Sequence, residues 1–252
     1  MSPTKLAENL ERNRVVGWID TQVHDVHRKI RMLVAGDPGT TFGLGDLLPA
    51  TTEEVFDGLN RLADWDFLEQ TNGSGGKSFV SPAVTVSYIE TAAERLRAAC
   101  ERGERVFFGT GHPTGPLELY ARLAQAMSDK GAEVIRFAEG DSYEGYINGA
   151  QIRYVCDVAC VSMSGDLVHT HSPRAMEFLL GNGLRADLVI GDHGFTGAAL
   201  ARTIDAVAVV DTNDPALVLA WSRGLSVVPI LCDDNRPAAA YDALARFLID
   251  RL

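Results

Sequence analysis

The 252-residue sequence lacks long apolar runs and any surplus of positive charge. No stretch reaches the roughly 18 consecutive apolar residues that a membrane span needs, and the start MSPTKLAENLERN has no apolar signal-peptide core. We therefore expect a cytoplasmic protein that does not insert into a membrane. Lys and Arg total 23 against 34 Asp and Glu, a net charge of −11, which disfavours binding to nucleic acid through a basic face.

Cysteine is also scarce. Only Cys156 and Cys160 of the four cysteines lie close together in the sequence. On one strand they would share a face, which leaves a metal or redox pair open, but two small core residues are the favoured interpretation.

Standard nucleotide-binding and hydrolase motifs are missing as well. The glycine-rich stretch GTGHPTG at residues 109–115 is neither G-x-G-x-x-G nor a Walker A loop, since no Lys-Ser/Thr follows it. No G-x-S-x-G elbow supports Ser172 as a nucleophile. The first strand end also lacks the D-x-D that a covalent aspartyl-phosphate route would usually need.

The patterns that are present predict an α/β protein in two parts. Residues 1–103 read as a helical N-terminal region, with helices within 4–35, 51–65 and 85–103 and a hairpin or loop near 66–82. Residues 104–252 alternate short apolar strands with helices. This alternation predicts a mostly parallel, Rossmann-like sheet with helices on both faces. The turn Asn148-Gly149 predicts a β-hairpin insertion in this core.

The stretch 105–116 predicts an anion site: a buried strand, a loop with three glycines and a helix that starts after Pro113. Glycines let backbone amides approach a ligand, and a helix N-terminus carries partial positive charge. A phosphate fits such a loop. We therefore predict that Thr110, Gly111, Thr114 and, from a later loop, Ser172 bind phosphate.

Polar residues follow this strand and the later predicted strands, where the crevice of a parallel sheet lies. Four of the six histidines fall in these loops. We predict His112, His171 and His193 as proton-transfer residues, and Asp192, Asp211, Asn213 and Asp214 as metal ligands. Oxygen donors of this kind suit Mg²⁺ or Mn²⁺.

Other interpretations of these residues remain open. Asp214 and Ser172 each precede a proline and fit ordinary helix caps, while Asp233 to Arg236 fits a loop with an internal ion pair. His169 and His171 would suit zinc, and His24 with His27 would suit a metal on a helix face. Glu139 lies roughly where a ribose-binding carboxylate would stand in a dinucleotide-binding module.

Five stretches together, GTGHPTG, LVHTHSP, DLVIGDHGFTGAA, DTNDPALVLAW and DDNRP, resemble those of a family of actinobacterial proteins labelled phosphatases. The resemblance covers roughly residues 105–237, and the 36–45 region matches loosely. It implies an α/β fold, distantly akin to metal-dependent damage-control phosphatases. The matching positions are Thr110, Gly111, His112, Pro113, His169, His171, Ser172, Asp192, His193, Gly194, Asp211, Asn213 and Asp214. Thr114 stands where relatives often carry a small residue.

These observations favour a metal-dependent phosphomonoesterase that acts on a small phosphorylated metabolite, such as a nucleotide or sugar phosphate. The protein is not expected to bind nucleic acid or a membrane, and a homo-oligomer is possible. Two alternatives are a non-catalytic nucleotide- or dinucleotide-binding module and a regulatory protein with a relic site.

Overall fold

The computed structural model describes residues 1–68, 76–144 and 149–252. Within the described residues, the N-terminal part contains five helices, one short 3₁₀ turn (Gly45–Leu47) and a small two-stranded sheet. The elements are α1 (Pro3–Arg12), β1 (Gly17–Gln22), α2 (Val23–Val34), α3 (Pro38–Thr41), α4 (Thr52–Ala63), β2 (Lys77–Val80) and α5 (Pro82–Arg102). The expected helix start at Thr51 is confirmed, because its hydroxyl accepts a hydrogen bond from the Glu54 amide.

One part of the N-terminal prediction is wrong. The spacing of Val15 and Ile19 with the apolar residues that follow predicts that both lie on a helix, but the chain turns after α1 and enters strand β1, which pairs antiparallel with β2. The turn uses left-handed backbone at Arg14 (φ 56°) and Gly17 (φ 74°). A strand followed directly by a helix gave Val15, Ile19 and Val23 a spacing of four that imitates one continuous helix.

In the second part of the chain, residues 104–144 and 149–252 form a nine-stranded sheet and its helices. The elements are β3 (Arg105–Thr110), α6 (Leu117–Asp129), β4 (Glu133–Ile135), β5 (Ser142–Tyr143), β6 (Ala150–Val155), β7 (Val158–Met163), β8 (Asp166–Leu167), α7 (Arg174–Gly181), β9 (Leu188–Gly191), α8 (His193–Leu200), β10 (Asp205–Val210), α9 (Pro215–Ser222), β11 (Val227–Leu231), a 3₁₀ turn (Ala238–Tyr241) and α10 (Asp242–Ile249).

The strand order is β11-β10-β9-β3-β7-β6-β5, with β4 beside the first half of β3 and β8 beside β7. Strands β11, β10, β9, β3, β4 and β7 pair in parallel, and β5, β6 and β8 add antiparallel pairs. The chain leaves β3 for β4 on one side, while β9, β10 and β11 extend the other. The junction of β3 and β9 is therefore the topological switch point, where ligands bind in open α/β sheets.

Helices cover both faces of this sheet, as predicted. Val106 and Phe108 of β3 point into a core shared with α5, α6 and α10, whereas Phe107 points into a second core with α7 and α8. This alternation is the two-residue period of a strand. Both faces are therefore buried, which explains the uninterrupted apolar run at this strand.

Helix α5 packs against β11, the strand at one edge of the sheet, and α2, α3 and α4 pack against α9. Apolar residues from both sides of position 103 belong to one continuous core, and the Thr85 hydroxyl on α5 donates to the Leu231 carbonyl at 2.9 Å. The domain boundary near residue 103 stays a prediction. Among the described residues, no helix has the length and apolar character that crossing a bilayer requires.

Two predicted turns lie partly outside the described residues. The loop near 66–82 includes 69–75, and the Asn148-Gly149 turn includes Asn148. The flanking strands β5 and β6 do pair antiparallel. Cys156 lies in an exposed turn between β6 and β7, with φ 53°, so it does not share a strand face with the buried Cys160.

Candidate active site

The polar loops after β3, β9, β10 and β11 meet at one edge of the sheet. They surround a cavity of about 330 Å³, called here the acidic cavity. Its walls also include residues from β1, from α2 and from the segment after β8. The lining residues are Asp20, Thr21, Gln22, Asp25, His112, His169, His171, His193, Asp211, Asn213, Asp233, Asp234 and Asn235.

Asp192 connects the ends of β3 and β9 at the switch point. Its two carboxylate oxygens accept hydrogen bonds from the Thr110 hydroxyl and the Gly111 amide, both at 2.6 Å. The Thr110 hydroxyl oxygen in turn accepts from the His112 amide at 2.9 Å. Burial raises the pKa of Asp192, although His193 and these two donors oppose the shift. The carboxylate therefore fixes both loops in position.

The glycines of the β3 loop are required by close packing of backbones. A Cβ at Gly111 would lie 2.1 Å from the Thr170 carbonyl oxygen, and one at Gly115 would lie 2.0 Å from the Asp234 carbonyl oxygen. The amides of Gly111, His112 and Gly115 already donate to protein acceptors. The helix predicted after Pro113 is confirmed as α6, and its first residue is Leu117, two residues after the last glycine of the loop.

His193 is held in an unfavourable backbone conformation at the start of α8. Its φ of 43° is left-handed, which L-residues adopt rarely and mostly where function or packing demands it. Its Nδ1 lies 3.5 Å from Asp192 Oδ1, and its Nε2 lies 3.1 Å from Asp234 Oδ2 and 3.6 Å from Asp214 Oδ2. Burial alone would lower the pKa of His193, but these carboxylates raise it to about 10.

Asp234 is the carboxylate that links the two imidazoles. Its Oδ2 also lies 3.2 Å from His112 Nδ1, while His112 Nε2 lies 3.2 Å from Asn235 Oδ1. Burial would raise the pKa of Asp234, yet contact with His112 and His193 holds it well below its usual range. Asp234 is therefore ionised at neutral pH.

Asp211, Asp214 and Asp233 complete the buried acidic group. Asp214 occupies the N-cap position of α9, but its side chain makes no capping hydrogen bond to that helix. Its Oδ2 instead accepts from the Asp211 amide at 3.0 Å, so the helix-cap interpretation does not account for this side chain. Burial and the neighbouring carboxylates raise the pKa of Asp211 well above its usual range.

The N-terminal strand β1 contributes two contacts that the sequence did not predict. The Thr21 hydroxyl donates to Asp211 Oδ2 at 2.6 Å, and the Asp20 amide donates to Asp233 Oδ2 at 3.1 Å. The sequence left open an internal ion pair between Arg236 and Asp233 or Asp234, but both carboxylates line the acidic cavity. Arg236 pairs with Asp20 and not with either of them.

His169 and His171 form one wall of the acidic cavity, named here the imidazole wall. Their Nε2 atoms are 3.0 Å apart. The His169 ring stacks on His112 at 4.2 Å, and His171 lies 4.2 Å from His193. Removal from water, together with the neighbouring imidazoles, lowers the pKa of both side chains. On its other side this wall borders a larger cavity of about 880 Å³.

The donor atoms fit a cation. Three groups, each with ligand atoms within 4.8 Å of one another, can be drawn from the described residues: His112 with His169 and His193, His193 with Asp214 and Asp234, and Asp211 with Asp233 and Asp234. Asp214 Oδ1 is buried without a hydrogen-bond partner, whereas His112 Nδ1 and His193 Nδ1 each have a carboxylate oxygen nearby, at 3.2 and 3.5 Å, that does not meet hydrogen-bond geometry. Buried polar atoms of this kind are costly unless a ligand satisfies them.

Several predicted residues lie elsewhere. Thr114 is exposed and outside the acidic cavity, and Ser172 lines the larger one. Glu139, proposed for a ribose, pairs with Arg136 on the surface. His24 is exposed, and His27 bonds the Phe67 carbonyl at 2.9 Å, so neither reaches the acidic cavity.

The fold and site define an α/β enzyme whose switch-point cavity is lined by imidazoles and carboxylates. Over residues 1–252 the chain matches the family model described as Phosphatase. It is also 34% identical, over 265 residues, to phosphatase SCO2771 of Streptomyces coelicolor, covering 98% of this chain and 95% of that protein. The chain belongs to this phosphatase family and is a phosphatase.

Proposed function

We propose that this phosphatase is a divalent-metal-dependent phosphomonoesterase that acts on a small phosphorylated metabolite, such as a nucleotide or sugar phosphate. One observation carries the metal requirement. Asp192, Asp211, Asp214, Asp233 and Asp234 are all buried, and among the described residues none lies within ion-pair distance of a lysine or arginine. Burying this many carboxylates together costs free energy unless a cation balances their negative charge.

The residues best arranged to hold the metal are His193, Asp214 and Asp234 in one group, and Asp211 and Asp233 with the same Asp234 in another. Bound Mg²⁺ or Mn²⁺ would supply Lewis-acid polarisation of the phosphoryl group and a lower pKa for an attacking water. Asp211 and Asp214 keep their predicted role as ligands. Asn213 lines the cavity and remains a candidate ligand.

Asp192 has a different role in this proposal. Both of its oxygens are engaged by Thr110 and Gly111, and its Oδ1 lies on the Nδ1 side of His193. Carboxylates placed behind a ligating histidine fix its tautomer and ring orientation. Asp192 therefore orients His193, and Thr110 and Gly111 act through Asp192, not on phosphate directly.

The imidazoles supply proton transfer. His112, His169 and His171 all face the acidic cavity, so a phosphoryl group seated there lies within reach of several ring nitrogens. Departure of an alcohol requires a proton on the ester oxygen, and a positioned imidazole can donate it. His112 is the proposed donor, because burial alone would lower its pKa but contact of its Nδ1 with Asp234 at 3.2 Å raises it.

The test compares Asp234→Asn with Asp166→Asn. Asp166 is exposed and outside both cavities. After EDTA treatment and gel filtration, hydrolysis of p-nitrophenyl phosphate should fall to background in the wild type and return on addition of Mn²⁺ or Mg²⁺. Asp234→Asn should lower kcat/KM by about 10³-fold, because it removes roughly 4 kcal/mol of charge stabilisation. Asp166→Asn should behave as the wild type.

Calorimetric titration of the metal-free protein with Mn²⁺ gives an independent measurement. Binding should be present in the wild type and in Asp166→Asn and strongly weakened in Asp234→Asn. Full activity after EDTA, with no metal detected by elemental analysis, would exclude the proposed metal requirement.

A further inference from the structure

The larger cavity lies directly beside the acidic cavity and shares the imidazole wall with it. His169 and His171 line both. This wall is fixed to the β3 loop, because the Thr170 amide donates to the Gly111 carbonyl at 2.8 Å. A ligand whose phosphoryl group sits in the acidic cavity could therefore extend past the imidazoles into the larger one.

The two cavities have opposite chemistry. Five carboxylates line the acidic cavity. The larger cavity carries one carboxylate, Glu177, and one guanidinium, Arg174. Its remaining surface is largely apolar and comes from the β6–β8 region and from two prolines: Ala150, Val161, Met163, Val168, Pro38 and Pro173.

The size and lining match those of an organic ligand. Small-molecule sites measure about 300–1,000 Å³ and combine apolar walls with a few polar groups, and this cavity of about 880 Å³ falls within that range. Thr41 and Ser172 supply hydroxyls, and Tyr143 presents a ring that stacks on Phe178 at 5.6 Å. Inorganic phosphate or a short polyol would leave most of this volume and apolar surface unused.

From this geometry, and resting on the proposed function, we infer that the larger cavity binds the alcohol part of the substrate. The substrate class is a phosphomonoester of an uncharged, partly apolar or aromatic alcohol of about nucleoside size. The ester oxygen then lies at the imidazole wall, where hydrolysis breaks the phosphorus–oxygen bond. Water supplies the oxygen of the released phosphate, and the departing alkoxide takes a proton from an imidazole.

Gly45→Phe is a direct test because it adds a ring to the lining of the larger cavity, at a position with open space around the new Cβ. Gly45 lines the larger cavity, its φ is not left-handed, and a Cβ there meets nothing within 4 Å. The matched control is Gly181→Phe, at the end of α7, which also has open space and lies outside both cavities. Thermal melting establishes that each variant is folded.

The measured quantity is kcat/KM for 1-naphthyl phosphate divided by kcat/KM for glycerol 1-phosphate, with Mn²⁺ present. Each ester is compared with itself across the variants, so differences in intrinsic reactivity cancel. Gly45→Phe should lower this ratio about tenfold or more, since small changes in an apolar pocket are worth about 10–200-fold. Gly181→Phe should leave the ratio at the wild-type value.

Other outcomes overturn the inference. An unchanged ratio in folded Gly45→Phe, or a wild type that hydrolyses glycerol 1-phosphate but not 1-naphthyl phosphate, would mean that the cavity does not hold the alcohol. If Gly45→Phe does not fold, Glu177→Trp takes its place in the experiment. Glu177 is an exposed residue of α7 that lines the same cavity, so a tryptophan there narrows it. Insensitivity to EDTA contradicts the metal proposal alone, because the ratio still tests the cavity.

A binding measurement removes the dependence on turnover. Fluorescence titration of the metal-free protein with 1-naphthol should give saturable binding in the wild type and in Gly181→Phe, and weaker binding in Gly45→Phe. Equal binding in all three proteins would place 1-naphthol elsewhere and overturn the inference.

Discussion

The acidic cavity and the larger cavity share a wall but are built from different kinds of structure. The acidic cavity is formed mainly by loops at the ends of four adjacent parallel strands, where the backbone is held by the sheet. The larger cavity is formed by the antiparallel strands β6 and β7, the segment around α3 and the residues before α7.

This difference separates chemistry from recognition. The parallel strand ends hold buried side chains whose pKa values are shifted in both directions, such as His193 and Asp234. Such shifts are typical of functional sites, since charge must be placed accurately to act on a reacting group. The apolar surface of the larger cavity carries few charges, and loops and hairpins of this kind can vary without disturbing the acidic cavity.

Gly111→Ala should have the largest effect, because it disturbs both cavities at once. Its Cβ would lie 2.1 Å from the Thr170 carbonyl oxygen, which belongs to the imidazole wall. Backbone must move, so we expect the free energy of unfolding to fall by about 3 kcal/mol and hydrolysis to be lost. Urea denaturation measures this.

Gly181→Ala is the control for Gly111→Ala. A Cβ at Gly181 meets open space, and its stability should stay within about 1 kcal/mol of the wild type. A Gly111→Ala protein as stable and active as the wild type would show that the imidazole wall tolerates displacement. The close backbone contact between Gly111 and Thr170 would then not be needed to hold the wall between the two cavities.

His112→Gln tests whether His112 donates the proton to the leaving alcohol. Glycerol 1-phosphate has a poor leaving group, so its kcat should fall about 10²-fold. p-Nitrophenolate departs without protonation, and the kcat for p-nitrophenyl phosphate should fall much less. Steady-state kinetics with both esters measures the difference, and the exposed His24→Gln is the control. Equal losses for the two esters would assign His112 a positioning role.

Much of the sheet could be predicted from the sequence because its strands are buried on both faces. Leu188-Val189-Ile190 reads as a strand, and the Asp192-His193 that follows marks a strand end. Since the carboxyl ends of parallel strands share an edge, the convergence of His112, His193 and Asp211 around one cavity follows from the pattern.

Glycine roles could not be read from the sequence in the same way. The sequence interpretation assigned Gly111 to phosphate, because glycine-rich loops commonly bind anions. In the structure this glycine allows the Thr170 carbonyl to approach, a contact across 59 residues of chain that no local pattern records. A glycine that admits a ligand and one that admits another backbone look identical in a sequence.

The contribution of β1 was hidden for a related reason. Its residues had helical spacing, and its site contact, from Thr21 to Asp211, joins positions 190 residues apart. Nothing next to Thr21 in the sequence marks it as different from an ordinary surface threonine. The same strand places the Asp20 amide against Asp233, so β1 reaches the acidic cavity but not the larger one, which the segment around α3 helps to line.

Thr21→Val tests whether β1 acts on the acidic cavity alone. Of the substitutions at Gly111, at the proposed proton donor and at Thr21, it should have the smallest effect. It removes a hydrogen bond that holds a proposed ligand, and we expect Mn²⁺ affinity to fall about tenfold, with the 1-naphthyl to glycerol ester ratio unchanged. Thr85→Val is the matched control, since it removes a buried hydroxyl that bonds Leu231 outside both cavities. It should cost about 1–3 kcal/mol of stability and leave Mn²⁺ affinity intact, as measured by calorimetry. Unchanged Mn²⁺ affinity in Thr21→Val would show that β1 only covers the acidic cavity and does not position its ligands.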